Sequence, residues 1–196
     1  MKFTAIHQIT AGFASGDAIS LEAVALRDVC RELGVASEIF VPADRTAIDC
    51  RQQVRPLEEY KPGASELLIY HYSIQTPATD VFRRSQVRKA LIYHNITPAS
   101  FFRAFDEGVA QQLEAARSEL AVVAAAADAV WADSAFNAAE ISALGAKNVQ
   151  VLPLLFSARA FDVPADPVVL QGLSGPSQKI LFVGRMAPNK CVEALI

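Results

Sequence analysis

Six short runs recur along the first three quarters of the chain: FTAIH (3–7), SEIFV (37–41), LLIYHY (67–72), ALIYHN (90–95), AVWAD (129–133) and VQVLP (149–153). Each is dense in Val, Ile, Phe, Tyr or Ala at consecutive positions, the pattern of a strand buried on both faces. Helical periodicity fills the gaps between them. From Asp17 to Leu33 the residues Ile19, Ala23, Leu26, Cys30 and Leu33 return at three- and four-residue steps before Gly34 stops the helix. Residues Asp106 to Ala127 form a second, Ala-rich stretch with acids at its start. Ser134 to Leu144 form a third, opening on a serine N-cap and ending at Gly145. Strands alternating with helices require right-handed crossovers, so residues 1–155 are expected to form a doubly wound, mostly parallel α/β sheet.

The pattern changes at Pro153. Pro153, Pro164, Pro167 and Pro176, with Gly172 and Gly175, are spaced so that no long helix can form, and residues 156–178 read as a linker. At KILFVG the strand pattern begins again, so residues 179–196 are expected to open a second α/β domain with a buried strand, a tight loop and the first turn of a helix.

Composition narrows the partners. With 196 residues, a net charge of −3 and 52% hydrophobic residues, the chain can bury one good core but lacks the clustered cations that hold a phosphate backbone, so nucleic acid is not an expected partner. Cys30, Cys50 and Cys191 are odd in number and scattered, without a C-x-x-C pair. Neither a disulfide framework nor a thiolate zinc site is indicated, and a reducing cytoplasm suits them. The N-terminus is too short in apolar residues for a signal peptide, and the longest apolar run is broken by Asp128, so no membrane span is expected.

In an open parallel sheet ligands bind beyond the carboxyl ends of the strands. All three histidines are expected there, with His7, His71 and His94 closing three of the strands and Asp133 and Ser134 following a fourth. Each alone reads first as a half-buried hydrogen-bonded group, while three on one rim suggest a site. No two histidines stand at i, i+4 and their tyrosine neighbours are not ligands of choice, so no metal is expected. In QITAGFASGDAIS, Gly12 and Gly16 loosen the turn after the first strand, and Gly16 precedes a helix whose amides can face a phosphate or a sugar hydroxyl. The spacing G-x-x-x-G matches neither the dinucleotide fingerprint nor the P-loop. Asp17 is either the cap of that helix or a ligand contact. In GRMAPNK, Arg185 and Lys190 are two cations in one loop, suited to a diphosphate or simply solvated.

Together GFASGDAIS, LIYHNITP, ADAVWADSAFNAAEI and ILFVGRMAPNKCVEALI resemble the N-terminal, acceptor-side half of a family 4 glycosyltransferase of GT-B fold, which pairs two Rossmann-like domains. The resemblance covers nearly the whole chain, and the last segment is its most specific part. It implies a retaining, metal-independent transfer from a nucleoside diphosphate sugar, GDP- or UDP-linked, to a hydroxyl of a glycan or lipid-linked acceptor, with no further cofactor. By the same resemblance Arg185, Lys190 and Gly16 hold the donor diphosphate, and His94 is the catalytic candidate beside the transferred sugar. His7, Asp17, His71 and Asn95 are candidate acceptor or donor-sugar contacts. The motif departs at Cys191, where the family has glycine. The family's carboxylate pair and base contacts belong to the donor domain, so residues 1–196 alone are expected to be inactive. The alternative is a non-catalytic acceptor-binding module, or a partner for a separate donor domain. In FRRSQVRK, Arg83, Arg84, Arg88 and Lys89 offer a peripheral contact with an anionic inner membrane face or form a solvated helix face. Phe101, Phe102 and Phe105 wall an acceptor pocket or pack in the core.

Overall fold

A computed structural model describes residues 2–156 and 162–195. The chain divides into two compact units, Met1–Phe156 and Ser157–Ile196.

The first unit is a single seven-stranded parallel sheet. Its strands are β1 (Ala5–Thr10), β2 (Ile39–Val41), β3 (Arg55–Pro56), β4 (Glu66–Tyr72), β5 (Arg88–Tyr93), β6 (Ala129–Ala132) and β7 (Gln150–Val151), in the order β3-β2-β1-β4-β5-β6-β7. Its helices are α1 (Ala18–Glu32), α2 (Pro77–Arg84), α3 (Glu107–Ala125) and α4 (Ala135–Ala143). The chain winds outward from β1 through β2 to β3, then returns to β4 and winds the other way. Right-handed crossovers in opposite directions place helices on opposite faces of the sheet, so this is the Rossmann-like doubly wound fold expected from the alternation. The order reverses between β1 and β4, and in open α/β sheets the crevice at the carboxyl ends beside such a switch point is where ligands bind.

Period two along the strands sorts the core. Leu68, Tyr70, Tyr72, Leu91 and Tyr93 pack with Phe82 of α2, Leu120 of α3 and Ile141 of α4. Ile69, Ala90 and Ile92 form the cluster on the other face, against Leu26 of α1. The tyrosines keep polar ends satisfied: the Tyr72 hydroxyl donates to the Ala116 carbonyl and to Glu119, and that of Tyr93 to Glu140.

Helix ends follow the sequence closely. Asp17, Asp106 and Ser134 are N-caps whose side chains accept from Ser20, Val109 and Asn137 amides, and Gly34 and Gly145 follow the C-caps with positive φ. The stripe of α1 departs at its end: Leu33 is 75% exposed, because it is the C-cap of the helix.

Other expectations are corrected. The first strand runs over 5–10 rather than 3–7, because six consecutive residues pair with β4, and its carboxyl end is therefore Thr10. His7 lies inside the strand. The short β3 pairs with β2 through Phe40 and Val41, a two-residue ladder containing a proline, which carries no apolar run to announce it. FRRSQVRK is not one helix: Arg83 and Arg84 end α2, whereas Arg88 and Lys89 begin β5. Arg88 pairs with Asp128 at 2.9 Å, and Lys89 lies over the Phe82 ring.

In the second unit, α5 (Pro167–Leu173) forms inside the expected linker, capped by Asp166. The strand expected at 180–183 is not formed. A strand needs a neighbour for its N–H and C=O groups, and among the described residues that unit holds no other strand. Pro188–Lys190 and Val192–Leu195 are 3₁₀ turns, so the expected first helical turn is a tighter one. Among the described residues no helix is long and apolar enough to cross a membrane.

Candidate functional site

The polar side chains buried at the crevice come from adjacent strands of one sheet face. Gln8 of β1 pairs with Ile69 of β4, and His71 pairs with Ile92 of β5, so by strand alternation Gln8, His71 and His94 all point toward α1. His94 follows β5, its amide bonded to the Tyr72 carbonyl. Helix α1 adds Glu22, and Asp133 follows β6.

The contacts form a continuous chain. The Gln8 carboxamide nitrogen donates to the Ala23 carbonyl at 2.9 Å, leaving its oxygen 2.9 Å from His71 Nε2. His71 Nδ1 is 2.9 Å from His94 Nε2. On its other side His94 Nδ1 faces Asp133 Oδ2 at 3.6 Å. The second Asp133 oxygen accepts from Asn137 Nδ2, and Asn137 Oδ1 accepts from Asn95 Nδ2 at 2.9 Å. Asn95 has φ +75°, a left-handed conformation that asparagine tolerates better than most residues. Glu22 flanks the histidine pair, its Oε2 lying 3.5 Å from His94 Nε2 and 3.7 Å from His71 Nδ1.

Burial sets the charges. Glu22 is 1% exposed, and desolvation raises its carboxyl above the ordinary range, against the charge of His94 and a hydrogen bond from the Leu155 amide. His71 is fully buried, and desolvation followed by the charge of His94 holds it well below the ordinary histidine range, so it is neutral. Burial raises Asp133, but the neighbouring His94 ring, Asn137 carboxamide and Ser134 hydroxyl outweigh it and the net shift is downward. Glu22 Oε2, His94 Nδ1 and Thr10 Oγ1 are buried without a hydrogen-bond partner. Unsatisfied buried acceptors are costly, typically by about 1–3 kcal/mol each, and three around one crevice mark it as a place built for something besides packing.

Glu22, His71 and His94 also bring three metal-ligating atoms within 4.8 Å of one another. Ring geometry argues against a cation there. The ring centroids are 5.1 Å apart with planes only 11° from parallel, a separation that a 2.9 Å N···N contact reaches only when the rings meet end to end. Their lone-pair axes point at each other and share a proton, whereas a common metal would need both rings turned toward a third point.

The remaining expected site residues are placed as follows. His7 does not reach the rim: one residue from Gln8, it points to the opposite face, where its ring meets Phe40 and Tyr60 edge-on and its Nδ1 accepts from the Glu38 amide. Asp17 caps α1, its Oδ2 accepting from both the amide and the hydroxyl of Ser20. Gly16 has φ +73° and opens the turn ahead of that helix, with open space where a Cβ would stand. Arg185 and Lys190, in the second unit, are exposed. Phe101 and Phe105 are exposed and Phe102 packs against the core, so the three do not form one wall. Arg83, Arg84, Arg88 and Lys89 lie toward the amino end of β5, the opposite edge from the histidines.

Gln8, Glu22 and Asn137 belong to the network without having been singled out. Glu22 carried a signal: it is an acid four residues before Leu26 on the inward stripe of α1, where a solvated carboxylate has no place. No family model matches the chain, and no curated protein matches it.

Proposed function

We propose that the chain is the acceptor-side half of a retaining, nucleotide-sugar-dependent glycosyltransferase of the GT-B type. The observation that carries the reading is the buried His71–His94–Asp133 chain at the switch-point crevice, on the rim that also bears the Gly16 turn and the start of α1. A polar network with unpartnered acceptors beside a helix start suits a ligand that brings hydroxyl donors and a diphosphate. Cys191 lends support: it adopts φ +45° and ψ +46°, a conformation natural to glycine, at the position where the resembled motif has glycine.

In this reading the amides after Gly16 stabilise charge developing on the leaving diphosphate, and His94 orients a hydroxyl of the transferred sugar. Asn137 holds Asp133 beside the His94 ring. The donor is a GDP- or UDP-sugar, and the acceptor is a hydroxyl of a glycan or lipid-linked glycan. The test is nucleoside diphosphate release in a protein that joins residues 1–196 to a donor domain. Release from one sugar nucleotide of a GDP and UDP panel is expected, falling about 100-fold or more in His94→Ala. No release across the panel, or full activity in His94→Ala, would overturn the proposal.

A further inference from the structure

The hydrogen bonds at the crevice leave little freedom in where protons reside. The Ala23 carbonyl can only accept, so the group of Gln8 that meets it is the NH₂, and the carboxamide oxygen must face His71. An amide oxygen carries no hydrogen, so His71 Nε2 supplies it. A neutral imidazole has one N–H, which leaves His71 Nδ1 as a bare lone pair aimed at His94 Nε2, 2.9 Å away. That nitrogen must then carry hydrogen. By succession His94 keeps hydrogen on Nε2, and in the neutral ring Nδ1 is the nitrogen with a lone pair to offer.

We infer that Gln8 and His71 are positioning residues that set the tautomer of His94, reserving its Nδ1, beside Asp133, as the acceptor for a ligand hydroxyl or a proton. The geometry around Nδ1 fits this role. It is buried and has no hydrogen-bond partner, and Asp133 Oδ2 stands 3.6 Å away, too far for a direct bond but close enough to favour a proton arriving on that nitrogen. The other Asp133 oxygen is committed to Asn137, which keeps the carboxylate from turning away. The charged or titratable groups facing the pair are Glu22 from α1, His71 from β4 and Asp133 after β6. Glu22 lies beside the shared N–H···N axis rather than on it, so it biases the charge of the pair without altering the direction of the bonds.

Only the identity of the hydroxyl donor, a sugar, rests on the transferase reading; the tautomer assignment stands on the hydrogen bonds. Imidazole nitrogen NMR tests it on the ¹⁵N-histidine-labelled chain between about pH 5 and 9. His71 is expected as the Nε2–H tautomer throughout, and His94 is expected to carry hydrogen on Nε2 throughout. A His94 that loses its proton from Nε2 in the wild-type chain overturns the inference, whatever the variants do. In Gln8→Leu the His71 ring is released from its acceptor, and the Nε2 and Nδ1 signals of both histidines are expected to move. A His94 spectrum unchanged in a folded Gln8→Leu also contradicts it. If the tautomers are as stated but no UDP- or GDP-sugar shifts the Nδ1 signal, the transferase reading fails and the positioning role stands.

Discussion

Desolvation, with the charge of His94 second, keeps His71 neutral in the folded chain, while the unfolded chain takes up a proton near the ordinary value of 6.5. The folded state therefore binds fewer protons at this position. Its contribution to stability is complete above about pH 6.5 and is lost as pH falls from there toward the lower folded value. Urea unfolding at about pH 7.5 and pH 5.5 is expected to show weaker stability at the lower pH, by no more than about 1.4 kcal/mol per pH unit for one proton. His71→Gln should flatten that limb, and an unchanged slope would contradict the assignment. Glu22, raised by burial, acts in the opposite direction above its ordinary 4.5 and is present in both proteins. At this scale the sequence was readable only in part. His71 and His94 stood out because strand ends face ligands, but a one-residue choice separates His7 from Gln8, and period two sends those side chains to opposite faces of the sheet. Glu22 and Asn137 were obscured because their partners come from other elements, a pairing that exists only after folding.

Among the elements, α1 links the local code to the site. Its N-cap Asp17 binds the Ser20 amide and hydroxyl, its inward face carries Glu22 and Ala23, and the Ala23 carbonyl fixes Gln8. Capping therefore does more here than end a helix, since it sets the phase in which Glu22 and Ala23 reach the crevice. Asp17→Ala is expected to cost about 1 kcal/mol in urea unfolding, with Asp17→Asn close to the wild type because asparagine caps equally well. An unchanged stability in Asp17→Ala would mean that the cap is not what holds the helix start. The three long helices were readable to within one or two residues because caps and terminal glycines are local signals. Strand β3 and helix α2 were not, the first because two residues carry no period and the second because eight residues with two terminal arginines read as a charged surface.

For the whole molecule, the strand order is what turns scattered residues into a site. Gln8, His71, His94 and Asp133 span 125 positions of sequence, yet β1, β4, β5 and β6 are neighbours and bring them to one edge. Fold class was readable because strand and helix periods alternate over the first unit, whereas the strand expected at 180–183 failed because a strand is a property of a pair. The central claim is that this edge receives a nucleotide sugar. The most direct measurement is a titration of the ¹⁵N-labelled chain with UDP- and GDP-sugars at roughly millimolar concentration, a range suited to weak contacts. The account predicts backbone amide shifts at residues 14–18, His94 and Asp133 with at least one of these ligands, weakened in His94→Ala. A spectrum in which those amides remain still for every sugar nucleotide, or move equally in His94→Ala, would contradict it.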